Sequence, residues 1–352
     1  MIRLKKSLIA GLQNGDLGSV QDSLQQAVQL EHATIPTYLF GLYSLDESKN
    51  GAIADIIQSV VVEEMLHMTL AANVLNAIGG TPQINTPDFI PTYPGPLPGG
   101  VDADLTVHLA PFSMAQLATF ISIEQPEDPL NFPRGTSSGG NDDEITIGEF
   151  YQAIISALGT LPASDFYSTP RNQVGPNLMP NSVVVTDLAS ATTALNTIIE
   201  QGEGTSTSPE EVVGNLLAHY YRFMQIAKGR KLIEVTTAGG KQVWAYAGPL
   251  LPFDASGVYP VAPDPLAANY AVGSTQAFLN DNFNYTYTSL LNALHTLFST
   301  PSGPLQQPQF NLAIGLMMSL KGQAKAMMSG IPDPTIVCGP SFQYQPVNPA
   351  NN

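Results

Sequence analysis

GAIADIIQSVVVEEMLHMTLAANVLNAIGGTP, residues 51–82, is the stretch of sequence that decides the fold. Its apolar residues recur at alternating spacings of four and three, the period of one face of an α-helix. Glu64 and His67 fall inside that apolar stripe. The whole stripe is Ile53, Ile57, Val60, Glu64, His67, Ala71, Val74 and Ile78. A carboxylate in a core stripe costs several kcal/mol unless it is paired or metal-bound, so these positions predict a ligand site.

The preceding segment carries a second inward acid. Residues 20–45 have helical periodicity, and Glu31 lies on their apolar face between Val28 and Ile35. Pro36 lies inside the pattern and predicts a kink rather than a stop. The short link to the next segment predicts an antiparallel pair of helices. Glu31 and Glu64 are 33 residues apart, so such a pair can bring them to the same level.

A third stripe contains a histidine. Ser208 followed by Pro209, Glu210 and Glu211 is typical of a helix start, with a capping serine and acids in the first turn. The stripe of that predicted helix is Val212, Leu216, His219, Phe223 and Ile226. Three separate stripes thus predict ligands that point into one core.

The rest of the chain predicts a mainly α fold with irregular insertions. The proline-rich and glycine-rich residues 81–112 exclude a long helix there. Further predicted elements are helices beginning at Ser113 and Thr146, helices over 186–202, 274–299 and 308–329, and a β-hairpin around Gly239–Gly240. We therefore expect a helical bundle with the metal site over residues 1–231. Residues 232–352 are expected to form a C-terminal extension packed on it.

Composition excludes several classes of protein. The 352 residues carry 29 acids and 13 bases, a net charge of −16, and contain no basic stripe that could bind nucleic acid. The single cysteine, Cys338, excludes an intrachain disulfide framework. No apolar run approaches the ~20 residues of a membrane span, and the N-terminal apolar patch is too short for a signal peptide. These features predict a cytoplasmic protein without membrane contact.

LEHATIPTYLFGLYSL (30–45) and VVEEMLHMTLAANVLNAIGGTP (61–82) resemble the ferritin-like superfamily of di-iron carboxylate proteins. The chain is most similar to the ferritin-like family associated with iminophenyl-pyruvate dimer synthase of violacein-type biosynthesis. FISIEQPE, TIGEFYQAI, IIEQGEGT, AHYYRF and CGPSFQY also resemble that family, so the likeness covers most of the chain. It implies a ferritin-like four-helix bundle with a di-metal site and a place in natural-product biosynthesis, but it does not fix a reaction.

The sequence departs from the family pattern at one ligand. The fourth bundle helix should carry Glu-x-x-His, but the residue three before His219 is Leu216. A second metal then needs a carboxylate from elsewhere, or the site holds one ion. The candidate carboxylates are Glu124, Glu149, Glu200 and Glu203.

Each of these candidates also has a structural interpretation. Glu149 completes a capping box with Thr146. Glu200 and Glu203 end a predicted helix roughly 10 Å from the level of His219, at ~1.5 Å rise per residue. Glu124 precedes Gln125–Pro126 and could simply end a helix.

Neutral imidazole with several carboxylates suits Fe(II) and Mn(II). The leading hypothesis is a di-iron oxidase or oxygenase that uses dioxygen on a small organic substrate, such as an amino-acid derivative. In that mechanism Glu31, Glu64 and one further glutamate bridge or chelate, and His67 and His219 are terminal ligands. The alternatives are a non-catalytic ferritin-like metal-binding protein and a structural bundle. The sequence leaves the oligomeric state open.

Overall fold

The computed structural model describes residues 4–12, 15–99, 105–126, 130, 144–205, 207–211, 216–331 and 333–345. The chain is mainly helical, as predicted. The helices before residue 230 are α1 (Ser7–Ala10), α2 (Leu17–Tyr43), α3 (Glu47–Ala77), α4 (Met114–Glu124), α5 (Ile147–Leu158), α6 (Leu188–Glu203) and α7 (His219–Lys228). The C-terminal helices are α8 (Thr275–Ser299) and α9 (Gln306–Ser329). The strands are β1 (Leu4–Lys5), β2 (Glu144–Ile145), β3 (Ile233–Thr236) and β4 (Gln242–Ala245).

Helices α2 and α3 form the predicted hairpin, and side-chain caps set where each begins. The Asp16 carboxylate accepts a hydrogen bond from the Ser19 amide, and the Asp46 carboxylate accepts one from the Ser48 amide. Helix α2 continues through Pro36. Helix α3 has a kink near its start, where Asn50 has φ −120° and ψ 26°. The two helices pack along each other and form the centre of the core.

Helices α4 to α7 cover one face of this hairpin. Ser113 caps α4, Thr146 and Glu149 form a capping box on α5, and Asp187 caps α6. Helix α6 packs on α3, α5 packs on α2 and α6, and α7 packs on α3, α4 and α6. Helices α4, α5 and α6 begin within two residues of the predicted positions. This arrangement brings several helices to the level of Glu31 and Glu64.

The predicted start of the seventh helix is wrong. Helix α7 begins at His219, and Ala218 immediately before it has extended backbone angles, φ −60° and ψ 158°. The Glu211 amide donates to the Leu216 carbonyl at 2.9 Å, and the Ala218 amide donates to the Pro209 carbonyl at 2.9 Å. These bonds join residues five and nine positions apart in the chain, and they replace the helical turn that the Ser208–Glu211 sequence favours. Val212 lies outside the described residues.

The C-terminal helices pack on the opposite side of the α2/α3 hairpin. The Tyr287 hydroxyl of α8 is 2.8 Å from His32 Nε2, and the Lys325 ammonium of α9 donates to the Leu45 carbonyl. Side chains of α8 and α9 belong to the same hydrophobic core as those of α2 and α3. The predicted hairpin is confirmed as β3 and β4, whereas the β1/β2 pair was not predicted. No helix in the described part of the chain has the length and apolar character needed to cross a membrane.

Candidate metal centre

Five side chains from four helices converge on one buried point. Helix α2 contributes Glu31, α3 contributes Glu64 and His67, α4 contributes Glu124, and α7 contributes His219. All five side chains are at most 9% exposed. One ligand atom each from Glu64, His67 and His219 lies within 4.8 Å of the others, which is close enough to share one ion. The helical stripes therefore do bring Glu31, Glu64, His67 and His219 together.

Each of the three carboxylates has one oxygen held by a hydroxyl group. The Tyr151 hydroxyl donates to Glu31 Oε1, and the Tyr38 hydroxyl donates to Glu124 Oε1. The Thr34 hydroxyl donates to Glu64 Oε2 at 3.1 Å. The second oxygen of each carboxylate faces an imidazole nitrogen. Three inward oxygens with fixed orientation are thus available to a cation.

The two histidines are oriented in the same way. His67 Nε2 is 2.9 Å from the Gln201 side-chain oxygen, and His219 Nε2 is 3.0 Å from Glu63 Oε2. Because these oxygens accept hydrogen bonds, each Nε2 carries a proton, so either ring in its neutral form would present its lone pair at Nδ1. The rings stack with their centroids 5.2 Å apart. Such outer hydrogen bonds fix the tautomer of a metal-binding histidine.

The inward nitrogen of His219 lacks an ordinary hydrogen-bond partner. His219 Nδ1 is 2.9 Å from Glu64 Oε1 and 3.4 Å from Glu124 Oε2, but neither contact has hydrogen-bond geometry. His67 Nδ1 is 3.4 Å from Glu31 Oε2. A lone pair that faces a buried carboxylate is repulsive, so a positive charge must stand between them. The donor set fits a bound metal ion, and in its absence a proton on Nδ1 provides that charge.

The pKa shifts follow from this crowding. Burial, and then the charge of Glu124, raise the pKa of Glu64 to about 7. Burial lowers the pKa of His219, but its contacts with Glu124, Glu63 and Glu64 outweigh this and raise it well above the ordinary value. Burial also raises the pKa of Glu31, but the contact with His67 outweighs it and holds this pKa below its usual range. Protons and metal therefore compete for this centre.

A buried ion pair supports the centre from the side of α7. The Arg222 guanidinium is 2.8 Å from Glu63 Oε2, the oxygen that also contacts His219. Arg222 also donates to the Leu217 carbonyl and to the Ser59 hydroxyl. Burial raises the pKa of Glu63, but His219 and Arg222 outweigh it, so this pKa lies below its ordinary value. Glu63 is therefore ionised and positions His219.

The structure shows which of the four candidate carboxylates lie at the metal centre. Only Glu124 has an oxygen directed at a histidine of the centre. Glu149 is exposed and accepts a hydrogen bond from the Thr146 amide in its capping box, so it is not at the centre. Glu200 is partly exposed in the last turn of α6 and does not line the adjoining cavity. Glu203 does line that cavity, where its carboxylate accepts from the Gly148 amide at 3.1 Å.

The departure from the family pattern has a structural explanation. Leu216 is 50% exposed and precedes α7, so it is not one helical turn before His219. Glu124 on α4 instead adds a second carboxylate, beside that of Glu64, that faces His219 Nδ1. His32, adjacent to Glu31, points away from the centre toward Tyr287.

Several residues of the centre were missed by sequence reasoning. Tyr151, Thr34, Gln201 and Arg222 all resemble ordinary helix residues in the sequence. The side chains of the centre that they contact lie 30 or more residues away in the chain. Gln201 continues the buried stripe of Ala194 and Ile198 at spacings of four and three, and this polar residue in an apolar stripe is the local signal that could have found it.

A small cavity adjoins the centre between α4, α5 and α6. Its volume is about 40 Å³, room for roughly three waters. Apolar side chains form much of its wall, namely Leu30, Ile123, Ile147, Ile198 and Ile199. Glu203 and Gln125 are its polar members away from the centre. The cavity therefore has room beside the centre for a molecule of a few atoms.

Comparisons with known proteins agree with this architecture. A family model described as Ferritin-like matches residues 24–228, more than half of the chain. Dichlorochromopyrrolate synthase from Lentzea aerocolonigenes is 23% identical over 329 residues, which cover 84% of this chain and 30% of that protein. The chain therefore spans less than a third of the length of this relative. The crystal structure of a ferritin-like protein from Caulobacter vibrioides superposes with a TM-score of 0.64 at 25% identity, covering 94% of this chain and 99% of the other.

Proposed function

The chain belongs to the Ferritin-like family, and from this premise we propose that it is a metal-dependent oxidative enzyme. It binds two iron ions between α2, α3, α4 and α7. It uses dioxygen to oxidise a small organic molecule, such as an amino-acid derivative.

One observation carries the proposal. Three buried carboxylates and two buried imidazoles direct five donor atoms at one point, and the opposite side of each group is held by the protein. A purely structural cluster would have its polar atoms satisfied by one another. His219 Nδ1 has no hydrogen-bond partner although two carboxylates lie within 3.4 Å. Five preoriented donor groups around one unpartnered imidazole nitrogen support a metal site.

The donor set supports two ions rather than one. Glu31 and His67 form one half of the metal centre, and Glu124 and His219 form the other half. Glu64 lies between them, 2.9 Å from His219 and close enough to Glu31 to influence its pKa. Carboxylate with imidazole favours iron or manganese over a thiolate metal such as structural zinc. Manganese is the alternative metal.

In this proposal the chain positions and protects the reacting groups. Bound iron would supply electrons to dioxygen. The hydroxyls of Tyr38 and Tyr151 hold Glu124 and Glu31, and burial together with the neighbouring carboxylates raises the pKa of both tyrosines well above 10. These phenols therefore stay protonated as hydrogen-bond donors. The Glu63–Arg222 pair fixes the position of His219.

The substrate approaches from the cavity between α4, α5 and α6. Its isoleucine-rich wall suits an apolar or aromatic group, and the Glu203 carboxylate that accepts from the Gly148 amide belongs to its lining. The relative from Lentzea aerocolonigenes is named as a synthase of an organic molecule, which supports an organic substrate. Because the cavity holds only about 40 Å³, a larger substrate needs α5 or α6 to move.

The experiment is an anaerobic titration of Fe(II)-loaded protein with dioxygen, followed by optical absorption. An oxidative enzyme gives a defined oxygen stoichiometry and converts a member of a panel of aromatic amino-acid derivatives to product. The Glu124→Ala variant should lose the reaction, whereas Glu149→Ala should retain it. Oxygen uptake that only deposits ferric mineral would instead favour iron storage.

A further inference from the structure

A second and larger cavity lies on the opposite face of the α2/α3 hairpin, beneath α8 and α9. Its volume is about 330 Å³. On α3 it is lined by Gln58, Val62, Met65 and Thr69, which alternate with the residues that face the metal centre. The lining includes five methionines, Met65, Met68, Met179, Met317 and Met318, so we call it the methionine-rich cavity.

The methionine-rich cavity continues inward to a buried polar group. A smaller cavity of about 50 Å³ shares six of its lining residues, namely Leu39, Tyr43, Met65, Met68, Leu294 and Met317. His32 and Tyr287 line this inner part. The His32 side chain is 3% exposed, and its Nε2 is 2.8 Å from the Tyr287 hydroxyl. Its Nδ1 has no hydrogen-bond partner among the described residues.

The lining is uncharged except at the mouth. Lys321 is the one charged residue of either cavity wall in the part of the chain that the structure describes, and its ammonium lies 3.5 Å from Glu47. An ion in the cavity would therefore meet no unpaired opposite charge. A buried, unpartnered imidazole nitrogen instead favours a neutral hydrogen-bonding group.

We propose that the methionine-rich cavity binds an uncharged, largely apolar small molecule with one hydrogen-bonding group, which contacts His32 Nδ1. Its volume lies at the lower end of the ~300–1,000 Å³ of small-molecule sites. Methionine side chains adapt to irregular apolar shapes and favour aromatic contacts. The larger apolar part of the ligand fills the outer part of the cavity, and its polar group lies at the entrance to the inner part beside His32, with any smaller apolar part beyond it. This site is independent of the metal centre and of the proposed oxidation.

Binding can be tested with N-phenyl-1-naphthylamine, an uncharged arylamine that fluoresces in apolar surroundings. Ile314 is 41% exposed and lines the cavity, whereas Leu312 is 51% exposed on the same helix and does not. We expect saturable binding at one site per chain. Ile314→Trp should weaken it at least about tenfold by filling the mouth, and Leu312→Trp should change it less than about twofold.

The inner contact is tested with a matched ligand that lacks the polar group, 1-benzylnaphthalene, measured by competition. The arylamine should bind about three to ten times more tightly to the unaltered protein. In His32→Phe, which keeps a ring of similar size, this preference should vanish while circular dichroism and metal content stay unchanged. A preference that survives in His32→Phe would overturn the role of His32.

Two further outcomes would overturn the site itself. One is the absence of saturable binding at micromolar protein. The other is a dimer in sedimentation that Ile314→Trp dissociates, since this would make the apolar face an interface between copies of the chain. Running the titration on chelator-treated and iron-loaded protein separates this inference from the proposed oxidation. Binding that is equal in both would stand even if the protein has no oxidase activity.

Discussion

Replacing one buried carboxylate by its amide should stabilise the metal-free protein at alkaline pH. Glu64→Gln keeps the shape of the side chain and can still accept from the Thr34 hydroxyl, but it removes a charge that burial and Glu124 oppose. If Glu64 is in the core because a metal neutralises it, its buried charge destabilises the metal-free protein, in which no cation offsets it. The substitution should therefore raise stability while it lowers metal affinity.

The magnitude follows from the pKa of Glu64. This pKa is raised from 4.5 to about 7, so the folded protein holds the Glu64 proton more tightly than the unfolded chain does. The resulting stability is fully present below pH 4.5 and is lost as pH rises through 7. A pKa shift of this size means that ionisation of Glu64 lowers the free energy of unfolding by on the order of 3 kcal/mol at pH 8. For a chain of this length, removing that loss should raise the melting temperature by roughly 4 °C.

The assay is thermal unfolding of chelator-treated protein at pH 5 and pH 8. Glu64→Gln should melt higher than the unaltered protein at pH 8, and the difference should shrink at pH 5. The neighbouring substitution Glu63→Gln is the matched control, and its effect has the opposite sign. Glu63 pairs with buried Arg222, and its pKa is lowered, so its stabilisation is present above pH 4.5 and is lost as pH falls.

Glu63→Gln should destabilise the protein at pH 8 by about 3 kcal/mol, because it leaves Arg222 without its carboxylate. The reasoning is refuted if Glu64→Gln destabilises the metal-free protein at pH 8 as much as Glu63→Gln does. That result would mean that protein partners fully satisfy Glu64, and no metal is needed to explain its burial.

Three further predictions concern metal binding. Gln201→Leu should reduce iron affinity about 10–100-fold by releasing the Nε2 side of His67, and equal affinities in equilibrium dialysis would contradict this. Glu124→Gln should lose at least one bound ion, whereas Glu149→Gln should retain the full content, because Glu149 only caps α5; metal analysis of both variants checks this. Fe(II) added anaerobically should raise the melting temperature more at pH 7 than at pH 5, because protons on Glu64 and the histidines compete with metal at the lower pH. An equal rise in melting temperature at pH 5 and pH 7 would count against that competition.

The inward acids were predictable because they interrupt helical stripes. Glu31, Glu64 and His67 each occupy a position where the helical period demands an apolar residue, and a short hairpin fixes their level. The resemblance to ferritin-like proteins was confirmed by the family comparison. The division of the chain at residue 231 stays a prediction, although α8 and α9 share the core of α2 and α3.

The fourth ligand helix could not be placed from local signals. Residues 208–211 have the composition of a helix start, but the backbone of residues 209–211 pairs with residues 216–218. Rules for helix caps consider only the first helical turn and do not predict this pairing. Glu124 could not be separated from the other candidates because its role depends on where α4 ends relative to α7. The hydroxyls of Tyr38 and Tyr151 reach the centre only in the folded chain.

The most direct test of the metal centre is its iron stoichiometry. Protein loaded anaerobically with Fe(II), freed of loose metal by desalting and analysed by mass spectrometry should retain about two irons per chain. The Glu64→Ala and His67→Ala variants, measured alongside, should each retain at least one fewer. Retention of no iron by the unaltered protein, or full retention by both variants, would contradict the account.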